Sequence, residues 1–261
     1  MTNPVASTRR RIPPALRVAV ILLCVTGVFA AAQRTVIAIR NDAPGSDGLP
    51  PIVRGNVEAL AGISGYERGS PRYRELVAGS SEFETKYRKY RAVILLHVVP
   101  GGLILLLAPF KFSDRIRRRY TRYHRIMGRV LLVSVGVSGM SAFFFGLLMP
   151  FGGPLEAVGI MVFGALFLYA GARAYAAIRR RDVTTHREWM TRMFAVAVGI
   201  SAVRLVSLPL SFVPLSMKDG FVLSIWIGFS LSVGVAEMLI RRARPRRIVT
   251  PARAAMAADT A

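Results

Sequence analysis

Apolar residues in this chain come in blocks of about 20, separated by short polar or basic links. A helix of about 20 residues rises about 30 Å, the thickness of a bilayer's hydrocarbon core. Repeated along a chain that is 53% hydrophobic, such blocks predict an all-α, polytopic transmembrane helix bundle of about six spans. One or two soluble domains would suit 261 residues equally well, but not these block lengths.

In chain order, residues 1–15 form a basic tail with Arg9, Arg10 and Arg11. The first span covers residues 16–32. Its short core and the run Ala30-Ala31-Ala32 also resemble a cleavable signal peptide, and its length favours an uncut anchor. Residues 33–91 make one long extracytoplasmic loop, turn-rich from Ala43 to Gly48, with short amphipathic helices expected at Asn56–Gly62 and Tyr73–Ala78. Spans two to five occupy residues 92–209, span five ending near residue 213. The sixth span covers 221–240, and residues 241–261 form a basic tail expected to be disordered.

A net charge of +22 would point to nucleic acid in a soluble chain. Here 24 of the 36 lysines and arginines gather on one side of successive apolar blocks. That is the pattern of the positive-inside rule. It excludes nucleic acid as the expected partner and places both termini on the cytoplasmic face of an inner (cytoplasmic) membrane. Lys86, Arg88, Lys89 and Arg91 run against the pattern, although long loops translocate largely regardless of charge. The single cysteine, Cys24, lies inside the first block, so no disulfide forms within the chain.

The basic links contain an internal repeat. Ile116 to Arg129 reads I-R-R-R-Y-T-R-Y-H-R-I-M-G-R, and Ile178 to Arg192 reads I-R-R-R-D-V-T-T-H-R-E-W-M-T-R. His124 and His186 are 62 residues apart, as are the two isoleucines. Gly136-Val137-Ser138 follows the first copy and Gly199-Ile200-Ser201 the second. Spans two and three therefore form one unit and spans four and five a parallel second one. Such a repeat implies a pseudo-two-fold axis along the membrane normal and a four-helix core, with spans one and six peripheral. It sets His124 and His186 facing each other at the cytoplasmic boundary. One extra residue separates histidine from arginine in the second copy, a helical rotation of about 100° unless a bulge absorbs it.

Two facing imidazoles suit the axial positions of a b-type haem, with Arg125, Arg129, Arg187 and Arg192 near its propionates. The plainer reading is that these His-Arg pairs hold anionic lipid phosphate and anchor helix ends. Zinc is less favoured, since no cysteine or acidic cluster accompanies the pair. His97 lies roughly 21 Å from the cytoplasmic end of span two, before Pro100-Gly101-Gly102, a sequence that favours a kink. Arg204 stands about 18 Å beyond Arg192, with no acidic residue in the sequence at that depth. An external anion, a backbone carbonyl or a quinone oxygen would satisfy it. His97 and Arg204 are both expected in the outer half and are candidates for one shared pocket. Glu237 and Arg173 are expected to pair at the interface. No nucleotide-binding glycine loop, zinc-peptidase histidine pair or serine-nucleophile motif is present.

Read together, His97 to Gly101, Ala108-Pro109-Phe110-Lys111-Phe112, His124-Arg125-Ile126-Met127-Gly128-Arg129 and His186-Arg187-Glu188-Trp189-Met190-Thr191-Arg192 resemble a family of predicted bacterial membrane proteins, domain of unknown function 2306. Ala108 and Lys111 depart from the family pattern. The resemblance covers about Tyr90 to Pro209 and implies a membrane address without an established activity. A looser similarity to four-helix b-type cytochromes rests on the paired histidines alone. The expected function is a b-type-haem or quinone-linked membrane redox protein. The rival expectations are a non-enzymatic anion- or lipid-binding transporter and a structural membrane subunit. Small residues such as Gly136, Gly139, Gly164 and Gly228 favour close helix approach, and a homo-oligomer is left open.

Overall fold

The structure, a computed structural model, describes residues 13–111 and 119–243. The tail to residue 12, residues 116–118 of the first basic copy and the tail from residue 244 lie outside the described residues. Among the described residues the chain is helical, without strands. The elements are α1 (Pro14–Arg40), α2 (Pro51–Ser64), α3 (Pro71–Lys89), α4 (Arg91–Lys111), α5 (Thr121–Leu148), α6 (Pro154–Arg179), α7 (Val183–Leu210) and α8 (Met217–Ala243). Proline opens α1, α2, α3 and α6, where its missing N–H costs no helical bond. Among the described residues five helices, α1 and α5 to α8, are long and apolar enough to cross a membrane. The number is six if α4 is counted with α3 across a 96° bend.

Consecutive spans pack antiparallel. Gly101 of α4 faces Ser138 of α5, Gly139 of α5 faces Leu168 of α6, and Gly228 of α8 lies on the backbone of Val203 in α7. Ile104, Leu131, Val135, Phe163, Phe167, Ala170, Met193 and Val196 fill the centre between α4, α5, α6 and α7. Lipid is as apolar as these side chains, so close packing rather than water exclusion holds them together. As expected, α1 is peripheral: it is the least buried of the spans, packed on α4 and α7 along one side and leaving Val18, Leu22, Val25 and Phe29 exposed on the other. Cys24 packs with Leu105, Phe194 and Val198, and Gly27 abuts Leu105 and Ser201.

The largest correction concerns residues 33–91. The first span does not stop at residue 32: α1 runs to Arg40, where Asn41 takes the left-handed conformation and ends it. The helices expected at Asn56–Gly62 and Tyr73–Ala78 extend to Pro51–Ser64 and Pro71–Lys89. Together α2 and α3 form a cap with its own small core, in which Leu49, Val53, Val57, Ala61 and Leu76 close over Ile37. The cap is fastened to the bundle through long-range polar contacts. The hydroxyls of Ser64 and Ser211 are 2.8 Å apart, the Tyr66 hydroxyl donates to the Ser211 carbonyl, and Glu75 accepts from the Met217 amide at 2.6 Å. Phe83 packs edge-on against Phe151, in the link between α5 and α6, and against Phe221, near the start of α8. A short linear pattern cannot show these contacts, because each joins residues far apart in the chain.

Two carboxylates stabilise the cap in a pH-dependent way. The Arg54 guanidinium holds the Asp47 carboxyl below its ordinary range, and the Tyr73 hydroxyl with Arg68 does the same for Glu58. A depressed folded-state pKa contributes stability that is complete above the unfolded value and lost as pH falls through the folded one. Amide protection across residues 47–73 is therefore expected to fall as pH drops below the usual carboxylate range of about 4 to 4.5, with the spans retained. Hydrogen exchange, corrected for intrinsic rates, measures it; equal protection factors at about pH 3 and about pH 7 would contradict this.

Candidate functional site

At the end of the bundle away from the cap, α5 and α7 are each 28 residues long, and each carries its histidine as the fourth residue. The backbone amides of His124 and His186 donate to the carbonyls of Tyr120 and Asp182 at 2.9 and 3.0 Å, so both histidines lie within the helix proper. Asp182 caps α7 by accepting from the Thr185 amide at 3.0 Å. Seven residues beyond the histidines stand Leu131 and Met193, both buried in the four-helix core. Positions i and i+7 share a helix face, so both imidazoles rise from the inward stripe. The His186 Nδ1 lies 2.8 Å from the Ala174 carbonyl of α6. A carbonyl only accepts, so Nδ1 carries the proton, and in the neutral ring Nε2 holds the lone pair.

The extra residue of the second copy is not absorbed before the arginine. Because His124 and His186 hold the same place in their helices, Arg129 and Arg192 leave at phases about 100° apart. Arg129 is exposed. Arg192 turns toward α8 and makes a two-pronged pair with Glu237, at 2.5 and 3.1 Å. Its guanidinium also covers the Trp189 ring at 4.6 Å. This corrects the pairing expected between Glu237 and Arg173. Arg173 instead lies over Tyr169 and Trp189, at 5.9 and 5.6 Å. Of the other arginines expected at this end, Arg125 is exposed and Arg187 half-buried.

Near the cap end, His97 and Ser138 clamp α4 to α5. The His97 Nδ1 lies 2.9 Å from the Ser138 carbonyl, and the Ser138 hydroxyl donates to the His97 carbonyl at 3.1 Å. His97 and Arg204, the two candidates for one shared pocket, contact different neighbours. The Phe145 ring stands 5.0 Å from His97 and 6.4 Å from Tyr87, and the charges around Tyr87 include Arg34 and Arg204. Burial pushes the Tyr87 phenol above its ordinary pKa, while Arg34 and Arg204 oppose that rise. Arg204 sits on the outer surface of α7, its Nη1 3.4 Å from the Ile200 carbonyl. Counted from Leu210 it is only about 9 Å from the helix end, within reach of the interface for a snorkelling side chain.

The residues that sequence reasoning missed come from α3, the end of α1 and the start of α6. Arg34 and the buried Glu84 are 2.6 Å apart, and the Arg34 guanidinium lies 4.6 Å from the Tyr87 ring centre. Glu156, also buried, accepts the Phe151 amide at 2.7 Å and the Gly152 amide. A signal was present: Leu76, Ser80, Phe83, Glu84 and Tyr87 recur at helical spacing, which puts an acid on the buried stripe of α3. Among the described residues no three His, Cys, Asp or Glu side chains meet as a metal site. A bis-histidine haem site needs only two.

Antiparallel apolar helices, a polar clamp between α4 and α5 and arginines at the helix ends define a multi-pass helical membrane protein. The chain belongs to the predicted membrane protein family DUF2306, whose pattern it matches over residues 94–240. It matches none of the curated proteins and none of the solved structures.

Proposed function

We propose that this protein is a membrane redox carrier holding one b-type haem between His124 and His186 and exchanging electrons with a quinone. The reading rests on the matched placement of the two imidazoles on the inward stripes of α5 and α7, together with the bond from His186 to the Ala174 carbonyl. A ligating histidine characteristically commits its second ring nitrogen to a carbonyl or carboxylate in this way, which orients the ring. Haem supplies a one-electron couple whose potential follows its axial ligands and burial. In this chain Leu131 and Met193, core residues further along the stripes of the histidines, would bound its apolar side, and Arg125, Arg129 and Arg187 are the cations that would be left to meet propionates. His97 and Arg204 remain the residues proposed to meet a quinone or another anion nearer the cap. The cation bias supports a histidine end on the cytoplasmic side of an inner membrane.

The Arg192–Glu237 pair favours a second reading, because it removes one of the four arginines from a propionate role. In that reading the basic hairpins hold anionic lipid, and the protein is a non-enzymatic transporter or structural subunit. A reduced-minus-oxidised absorption spectrum of the full chain, expressed with haem precursor, separates the two. Soret and α bands are expected in the parent protein, with His124→Ala and His186→Ala each losing most of the signal. A folded parent protein without a Soret band removes the haem and leaves the second reading.

A further inference from the structure

The cations that break the charge pattern near the cap are not equally engaged. Lys86 is paired with Glu82 and donates to the Pro150 carbonyl, both at 2.9 Å, and Arg88 donates to the Asp42 carbonyl. Lys89 and Arg91, on either side of the bend at Tyr90, are exposed. The Lys89 ammonium lies 5.2 Å from the Tyr90 ring centre, and that ring packs edge-on against Phe144 at 5.7 Å. Phe144 is one end of an open groove of about 520 Å³ between α4 and α5, which Val93, Leu96, Val137 and Met140 help to line.

Three properties of the groove suit one kind of occupant. From Phe144 to Val133 at the other end of its lining it follows α5 for about 16 Å, half the thickness of a hydrocarbon core. Its lining is almost wholly apolar and faces the bilayer. Its mouth carries an interfacial tyrosine beside an exposed lysine, the pairing found where headgroups meet hydrocarbon. A methyl added at Gly136 would meet nothing within 4 Å, so open space lies over that stretch of α5.

We propose that this groove seats one acyl chain of an anionic phospholipid from the cap-side leaflet, with the lipid phosphate held by Lys89 and supported by Arg91. The site is separate from the histidine end and stands whether or not haem is bound there. It gives the cations that oppose the positive-inside pattern a role that does not depend on topology.

The test uses the full chain reconstituted with phosphatidylglycerol or phosphatidylcholine carrying a photoactivatable diazirine in one acyl chain. Peptide mass spectrometry locates the adducts. They are expected within residues 133–144, with higher yield from phosphatidylglycerol. Lys89→Gln should cut that preference about fivefold, the size expected for one cation near a charged headgroup. Gly136→Leu fills the groove and should remove the adducts from both lipids. Adducts absent from residues 133–144, or a preference unchanged in Lys89→Gln, overturn the proposal. Crosslinked dimers through this face that disappear in Gly136→Leu would also overturn it, by assigning the groove to a second copy of the chain.

Discussion

Glu84→Ala is expected to destabilise the protein by about 3 kcal/mol, the lower end of the range for removing one partner of a buried ion pair. The Glu84 side chain is only 4% exposed, and its partner Arg34 is 23% exposed. Without the carboxylate the guanidinium stays beneath the cap beside Tyr87, paying desolvation with little compensation. Arg34 leaves the last turns of α1 while Glu84 sits on the buried stripe of α3, so their pair fastens the cap to the first span. The cap should become protease-sensitive before the spans unfold. The double variant Arg34→Met, Glu84→Leu removes both charges and is expected to recover most of the loss, because a well-packed apolar pair is often as stable as a buried ionic one. Thermal unfolding in detergent with limited proteolysis measures both proteins. A double variant no more stable than Glu84→Ala would show that the charge is not the cause.

The second large effect is expected at the α7–α8 crossing. A methyl at Gly228 would stand 2.6 Å from the Val203 amide nitrogen and 2.8 Å from its Cα. These are backbone atoms, so no side-chain rotation relieves the contact and the helices must separate. Overpacking costs about 1–3 kcal/mol, and a backbone clash belongs at the upper end. The better helix propensity of alanine offsets less than about 1 kcal/mol of this. Gly228→Ala should therefore lose about 2 kcal/mol, whereas Gly136→Ala, with open space around it, should lose nothing. The buried thiol of Cys24, lodged between α1, α4 and α7, provides the readout. Its labelling rate under heating should rise in Gly228→Ala and stay at the parent value in Gly136→Ala. Equal rates in the two variants would contradict a crossing set by backbone contact.

Each expected span falls on one helix of the structure to within a few residues, because a hydrocarbon core imposes a length that composition alone reveals; the fifth, expected to end near residue 213, stops at Leu210. Helix ends were less legible. The first span runs eight residues beyond residue 32, since Gln33 and Arg34 end an apolar block without ending a helix. The cap was readable only as short amphipathic pieces. Its polar α3 owes its place to aromatic and ionic partners on the bundle, not to the hydrophobicity of its own sequence.

The candidate sites divide in the same way. His124 and His186 were visible because two stretches of the sequence carry the same pattern, and periodicity alone then puts each histidine on the stripe of a core residue seven positions on. Sequence by itself thus determined where the membrane-length helices lie and that the two histidines hold matching places in two of them, since both follow from neighbours within a few turns. Tertiary structure alone decided that Arg192 belongs to Glu237, that Glu84 belongs to Arg34, and that Phe145 packs against both His97 and Tyr87. Such partners are 45 or more residues apart for the two ion pairs. Which of them meet depends on the rotation and depth of whole helices against one another, and no local stretch of sequence carries that information.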